Sequence, residues 1–340
     1  MNYKIDLLSS IDEIKKFKKK WFSFEKSLSD SEYNYSFIIN WLESFLEKKD
    51  SRFGFEKEIL VVVLYRNQSI ISIYPLLKVT RIYKRFFRYS SVEFIGSQFG
   101  GGNLGGIGLI NNDQFKIILN WLNENISFDV LYLSNQNKGH LSIYSSLKSF
   151  SYSVYPIINL KDFDDYTDYS IKKYNSNMRK NLRRRLKMFY SDGGCIESKK
   201  YKDISENEFN QILKVSASKE TEGKHDHFKD KEILYYLKNM LLSSKNKIIF
   251  AKLKNVIIGY QIIYLYDKFK IYSGLSYDRN YKKYGIGNIL EDFDIKNTNF
   301  KEYNYISMGP GLEKYKKYFS TEYHEILCFI LKGNTFFSKF

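Results

Sequence analysis

Apolar positions along the chain follow two periods, and the switches between them outline most of the elements. Ile14, Phe17 and Trp21, then Phe37, Trp41 and Phe45, recur every three to four residues. That spacing lines one face of a helix and predicts helices over 11–27 and 36–48, with Ser36 placed to cap the second. Glu58–Tyr65 and Ile70–Val79 are apolar, β-branched runs on either side of the polar turn Arg66-Asn67-Gln68-Ser69 and predict a β-hairpin. A strand at Val92–Gly96, a helix over Asp113–Asn123 and a strand over Asp129–Ser134 follow. Past a seam at Ser146–Tyr155 comes a second series. It holds a helix Tyr169–Tyr190, a strand Cys195–Tyr201, helices Glu206–Ser218 and Lys231–Leu242, and a hairpin Ile248–Leu253 with Ile257–Tyr266. A strand Phe269–Tyr277, a helix to about Asn299, a strand Tyr303–Met308, a helix Leu312–Phe319 and a strand Glu325–Leu331 end it.

The pattern reads as α/β with mixed, mostly antiparallel sheets flanked by helices. At 340 residues and 43% hydrophobic content the chain supports two cores, and the seam divides it into domains 1–150 and 151–340. No apolar run approaches the ~20 residues of a membrane span, and MNYKIDLLSSIDEIKK lacks a signal-peptide core, so a cytoplasmic location is expected. The two cysteines, Cys195 and Cys328, are far apart in apolar settings and read as buried free thiols, with no disulfide framework and no metal-ligand spacing.

The net charge is +16, which invites an anionic partner. Part of it reflects a Lys-, Asn-, Ile- and Tyr-rich composition with 3 Pro, so clustered charge is the informative kind. It clusters in MRKNLRRRLKMF, where Met178, Leu182, Leu186 and Phe189 form an apolar stripe and Arg179, Lys180, Arg183, Arg184 and Lys187 surround it. The helix is either docked on a core with a solvated basic face or a grip on a polyanion. GGGNLGGIG at 100–108 has no Lys or Arg and no Lys-Ser/Thr ending. It is no P-loop, but a flexible loop, an irregular strand pair or a substrate-side wall.

The most informative stretch is SGLSYDRNYKKYGIGNILEDF, Ser273–Phe293. A strand passes through a basic turn into a helix that opens at Gly285-Ile286-Gly287. Glycines there let a ligand approach the backbone, and the first amides of a helix attract phosphate. Lys282 and Lys283 precede them and add mobile positive charge.

Tyr277 through Gly287, between a strand and an apolar helix, resembles the acyl-coenzyme A loop of the GNAT superfamily of N-acetyltransferases. Lys282 occupies the place where that family usually has Arg or Gln, and Arg279 a place where it often has proline. Asn40-Trp41-Leu42, Tyr74-Pro75-Leu76, Pro156-Ile157-Ile158-Asn159-Leu160, Asn177 to Arg184, Met308-Gly309 and Tyr315-Lys316 extend the likeness to the CelD-like branch, related in build to Fem-type aminoacyl transferases. Two tandem GNAT-like halves are implied, the second alone keeping the donor loop. Ser307 stands where the family tends to carry an acid before the last glycine.

The resemblance implies an N-acyltransferase with acetyl-CoA as co-substrate and no metal, acting on a small-molecule or carrier-linked amine such as an amino sugar of a surface polysaccharide. Backbone of Tyr284, Gly285, Ile286, Gly287 and Asn288, with Lys282 and Lys283, would hold the diphosphate. The backbone N–H near Tyr277 would meet the oxyanion, and Tyr315, with Tyr318 second, would protonate the leaving thiolate. Lys219–Asp230, KETEGKHDHFKD, crowds Glu220, Glu222, His225, Asp226 and His227. His225 or Glu220 serves as base or acceptor contact there, or the segment is ordinary polar surface. Two alternatives stand beside this reading: a Fem-type enzyme taking aminoacyl-tRNA, against which no heptad arm appears, and a non-catalytic basic adaptor for nucleic acid or a membrane surface.

Overall fold

The computed structural model describes residues 3–28, 33–84, 87–102, 104–108, 110–218, 226–242 and 245–335. Along the chain lie β1 (Tyr3–Leu8), α1 (Ile11–Glu25), α2 (Tyr35–Phe45), β2 (Glu56–Arg66), β3 (Ser69–Tyr83), β4 (Phe87–Phe94), β5 (Ile107–Gly108), α3 (Asn112–Asn125), β6 (Val130–Asn137) and β7 (Lys148–Asn159). There follow α4 (Tyr166–Lys173), α5 (Ser176–Ser191), β8 (Gly194–Lys200), α6 (Glu206–Ala217), α7 (Lys231–Leu241), β9 (Lys247–Leu253), β10 (Val256–Leu265), β11 (Phe269–Tyr277), α8 (Ile286–Lys296), β12 (Tyr305–Ser307), α9 (Lys314–Phe319) and β13 (Glu322–Lys332).

The chain folds as two units, Met1–Ser153 with His324–Phe340, and Val154–Tyr323. Strands of the first run β1-β2-β3-β4-β6-β13, and strands of the second run β8-β9-β10-β11-β12-β7. Neighbours are antiparallel except β4 with β6 and β11 with β12. In each unit that parallel pair is joined through a helix, α3 in one and α8 in the other. Both units therefore carry the same mixed, mostly antiparallel sheet flanked by helices. Their sixth strands are exchanged along the sequence. Val154–Asn159, which follows the first series, pairs with β12, and β13, which follows the second, pairs with β6. The closing strand placed by sequence in domain 151–340 lies mainly in the first unit, where Leu327 pairs with Gln136 and Phe329 with Leu133 of β6.

Several elements differ from the sequence expectation. Tyr169–Tyr190 is two helices, because Asn175 ends the first run and caps α5 by accepting from Met178 N–H at 2.8 Å. β1 is an added edge strand, and most of the seam at 146–155 falls in β7. Cys195 is exposed, while Cys328 is buried and its thiol is pushed up to about 11 by that burial.

In the second unit Leu182 and Phe189 of α5 and Ile286, Ile289 and Leu290 of α8 share one core with Ile258 and Ile263 of β10. The other face of the sheet packs Ile212 and Val215 of α6 against Phe250, Tyr260 and Ile262.

Candidate active site

The site is built at the end of β11. Asp278 N–H donates to Ile258 O at 2.8 Å, tying the turn to β10, and Asp278 Oδ1 accepts from Asn280 N–H at 2.9 Å to start a tight turn over Arg279–Tyr284. Gly285 closes it with φ 63° and ψ 47°, the left-handed region that a Cβ disfavours by about 1 kcal/mol or more. α8 begins there with no side-chain cap. The equivalent helix of the first unit is closed instead, since Asn111 accepts from Gln114 N–H at 3.0 Å. Of the two helices that follow a parallel-pair strand, only α8 presents uncapped first-turn amides, and those amides favour an anion.

Glycines allow the close approach around it. A Cβ on Gly287 would lie 3.3 Å from Leu275 Cδ2 of β11, and one on Gly259 of β10 would lie 3.0 Å from Tyr277 Cβ and closer still to Ile286. Gly259 is a member of the site that sequence reasoning passed over, since its value shows only in the packing of α8.

Side chains at the turn divide into two groups. Lys283 is 3.2 Å from Asp192, and the Tyr284 hydroxyl donates to the same carboxylate. Those hydrogen bonds, Tyr284's first and Lys283's second, hold Asp192 below the usual carboxylate range. The Tyr284 ring and the Ile286 side chain are in the core, so these residues offer a ligand only backbone, and Gly285 N–H is already given to Lys282 O at 3.1 Å. Lys282 is exposed, and Asn288 is half-buried in the first turn of α8.

The cation nearest the glycine is Arg185 of α5, absent from the basic set read from the sequence. A Cβ on Gly285 would meet its Cδ at 3.0 Å and Cζ at 3.1 Å, and its Nε is buried with no hydrogen-bond partner. Arg179, counted in that basic face, is spent on structure: its guanidinium donates to Ser170 O, Ile171 O and Tyr174 O and closes the end of α4.

Beyond the turn the sheet opens. β11 and β12 pair in parallel only at Phe269–Ile271 with Tyr305–Ser307, and β11 runs six residues further to Tyr277. In that stretch it bulges. Ser273 faces Ile262 and Leu275 faces Gln261, leaving Gly274 (φ 68°) as the extra residue, whose backbone groups a bulge leaves outside the ladder. The sequence placed the oxyanion donor near Tyr277; the irregular backbone lies at Gly274. Tyr277 itself is half-buried, its hydroxyl bonded by Arg279, whose guanidinium stacks 4.7 Å from the ring centre.

On the far side of the opening stands α9. Tyr315 is half-buried against the core; burial, then the charges of Glu291 and Glu313, raise its hydroxyl well above the ordinary tyrosine value. Tyr318 is 51% exposed and turned to solvent. Lys316 is buried and donates to Gly309 O at 3.2 Å and to Pro310 O, fixing the loop that follows β12.

Glu220, Glu222 and His225 lie outside the described residues. Asp226, in the same segment, is buried and accepts from Ser216 Oγ at 2.7 Å and Phe228 N–H at 3.0 Å. Among the described residues no group of three or more His, Cys, Asp or Glu could hold a metal ion, and no helix is long and apolar enough to cross a membrane.

No family model matches the sequence, and no curated protein matches it either. Solved structures do. FemX superposes with TM-score 0.60 at 10% identity over 97% of this chain and 98% of its own. L-PGS from Bacillus licheniformis gives 0.53 at 14% over 88% and 92%. A tandem GNAT protein from the clavulanic acid biosynthesis pathway gives 0.50 at 8% over 97% and 98%. Identities this low speak for the fold alone.

Proposed function

The fold is that of two tandem GNAT-like domains, and with it as premise we propose that the chain is an acyl-CoA-dependent N-acyltransferase, most simply with acetyl-CoA. The CelD-like branch and an amino-sugar acceptor of polysaccharide synthesis are parts of the same reading. The observation that carries it is the uncapped start of α8 at Gly285, set past the end of β11, beyond the stretch that pairs with β12, with Arg185 against the glycine and Lys282 in the preceding turn. A diphosphate at those amides sends its pantetheine arm toward the opening and its thioester toward the bulge at Gly274.

Three tasks are then divided among residues of this chain. Amides of Gly287 and Asn288, Arg185 and Lys282 bind the diphosphate. Backbone at the bulge, or nearer Tyr277, meets the carbonyl oxygen as it takes up charge. Tyr315, which its raised pKa keeps protonated, stands as hydrogen-bond and proton donor to the departing thiolate. The amine nitrogen attacks the thioester carbon, the C–S bond breaks, and nitrogen loses a proton to water or to a residue of 219–226, with His225 and Glu220 the candidates. The direct test is release of free thiol from acetyl-CoA in the presence of a panel of amino sugars and other amines. Turnover that needs both an amine and Gly285 supports the reading, and no turnover with any short acyl-CoA overturns it.

The second reading changes the donor to aminoacyl-tRNA and is favoured by one observation. Lys180, Arg183, Arg184 and Lys187 of α5 are all exposed beside the turn, a strip able to follow a polyanion. Specific, salt-resistant binding of acetyl-CoA separates the two.

A further inference from the structure

Glu291 is the least explained group of the second unit. It is 1% exposed, and its Oε2 has no hydrogen-bond partner. An unsatisfied buried carboxyl costs a fold stability, and the rest of α8 shows how such groups are otherwise settled. Asp292 takes hydrogen bonds from the hydroxyls of Tyr166 (2.8 Å) and Tyr174 (3.0 Å). Asp294 takes them from Lys247 (2.7 Å), Lys270 (3.2 Å) and Tyr272 (2.9 Å). Of these three, only Glu291 has a fully buried side-chain oxygen without a hydrogen-bond partner.

Its place follows from the helix period. Gly287 lies against Leu275 and Tyr277 of β11, and Asp294 against Lys270 and Tyr272. Glu291, four residues after one and three before the other, is on the same face and stands level with Ser273-Gly274, the bulge. Across from it are Tyr315, whose hydroxyl feels its charge, and Lys316, the cation that acts on it. Lys316 is committed elsewhere, to Glu313 at 2.9 Å and to the Gly309 and Pro310 carbonyls. The open carboxyl therefore sits between α8 and α9, beside the gap where β11 and β12 have ceased to pair. Burial holds it well above the usual carboxylate range, which favours the protonated form, an O–H donor as well as an acceptor.

We propose that Glu291 is a donor-binding residue whose free Oε2 meets an amide group of an acyl-pantetheine arm threaded between β11 and β12. This deepens the acyl-CoA reading and rests on it. It makes the arm, as well as the phosphates, a recognised part of the donor, and so selects for amide-bearing thioesters over donors that share only the nucleotide.

Two ligands separate the parts: acetyl-CoA, and 3′-phosphoadenosine 5′-diphosphate, which keeps the nucleotide and loses the arm. Calorimetry with Glu291→Leu should find acetyl-CoA bound about tenfold more weakly, the size of one lost buried hydrogen bond, with nucleotide affinity unchanged. Glu291→Gln, which still donates and accepts, should stay within about threefold of wild type for both. Unchanged acetyl-CoA affinity in Glu291→Leu, or an equal loss for both ligands, overturns the proposal while leaving acyl-CoA binding in place. Wild-type protein that binds neither ligand overturns the acyl-CoA reading itself. Should Glu291→Leu not fold, the infrared C=O band of the protonated carboxyl, identified by its absence in Glu291→Gln, is the second readout. It should shift on adding acetyl-CoA and not on adding the nucleotide, and a band unmoved by acetyl-CoA refutes the contact.

Discussion

Arg185 lies over Gly285 so closely that a Cβ there would be 3.0 Å from its Cδ and 3.1 Å from its Cζ. The glycine thus does two things at once: it adopts φ 63° and makes room for a guanidinium at the mouth of α8. With its Nε buried and unpartnered, Arg185 is a donor waiting for an anion. Replacing it by Ala is expected to weaken acetyl-CoA binding about tenfold to a hundredfold, the range for a hydrogen bond to a charged group. Lys restores only part, because it lacks the fixed fork. Calorimetric dissociation constants check this, and wild-type affinity in Arg185→Ala excludes the residue from the site.

Gly285→Ala combines a strained backbone with a displaced guanidinium. A loss of about 1–2 kcal/mol in unfolding free energy is expected from the left-handed conformation, accompanied by weaker donor binding. Urea unfolding measures the first and titration the second. A variant as stable as wild type would mean that the turn relaxes out of this conformation.

The two buried acids of α8 predict opposite pH responses. Burial raises Asp294, but Lys270 and Lys247 outweigh it and the net shift is downward. Its contribution is present above its unfolded value near 3.8 and is lost as pH falls through the lower folded value. Glu291 is raised by burial, with Lys316 opposing; Tyr315, Tyr272 and Tyr169 also feel its charge. The folded state therefore holds the Glu291 proton more tightly than the unfolded chain. Stability is greatest below the unfolded value near 4.5 and falls above it, by up to about 1.4 kcal/mol per pH unit, until the folded value is reached. Urea midpoints of wild type and Glu291→Gln should diverge as pH rises above the unfolded value near 4.5, the wild type declining and the variant flatter. Parallel curves would show that Glu291 is not protonated in the fold.

Tyr315→Phe removes the acid assigned to the leaving thiolate and leaves the half-buried ring. The turnover number should fall about a hundredfold with little change in the donor KM, while exposed Tyr318→Phe should behave as wild type. Equal kinetics for both variants would hand proton delivery to solvent.

Much of this architecture is legible in the apolar periods. The hairpins β2–β3 and β9–β10 and the strand-turn-helix at Gly285 declare themselves because their signals are local: alternation, turn residues and glycines. What escaped depends on distant partners. The exchange of β13 for Val154–Asn159 leaves no local mark, since an alternating strand reads alike whichever sheet it joins. The break at Asn175 did leave a local mark in the weak helix formers Asn175-Ser176-Asn177, passed over because helical spacing continues on both sides. Arg185 sits in the run Arg183-Arg184-Arg185, where composition cannot say which guanidinium turns inward. Glu291 read as one acid in the polar string Glu291-Asp292, though both are drawn toward the core by the Ile289, Leu290 and Ile295 that surround them.

The most direct measurement is calorimetric titration of the full chain with acetyl-CoA at moderate and at high salt. A saturable one-to-one isotherm in the micromolar range, ~8 kcal/mol, that survives high salt is the predicted result, because contacts made by buried amides and by Arg185 are poorly screened. Absence of heat, or heat that disappears with salt, would contradict an acyl-CoA site at Gly285 and leave the basic strip of α5 as the feature to explain.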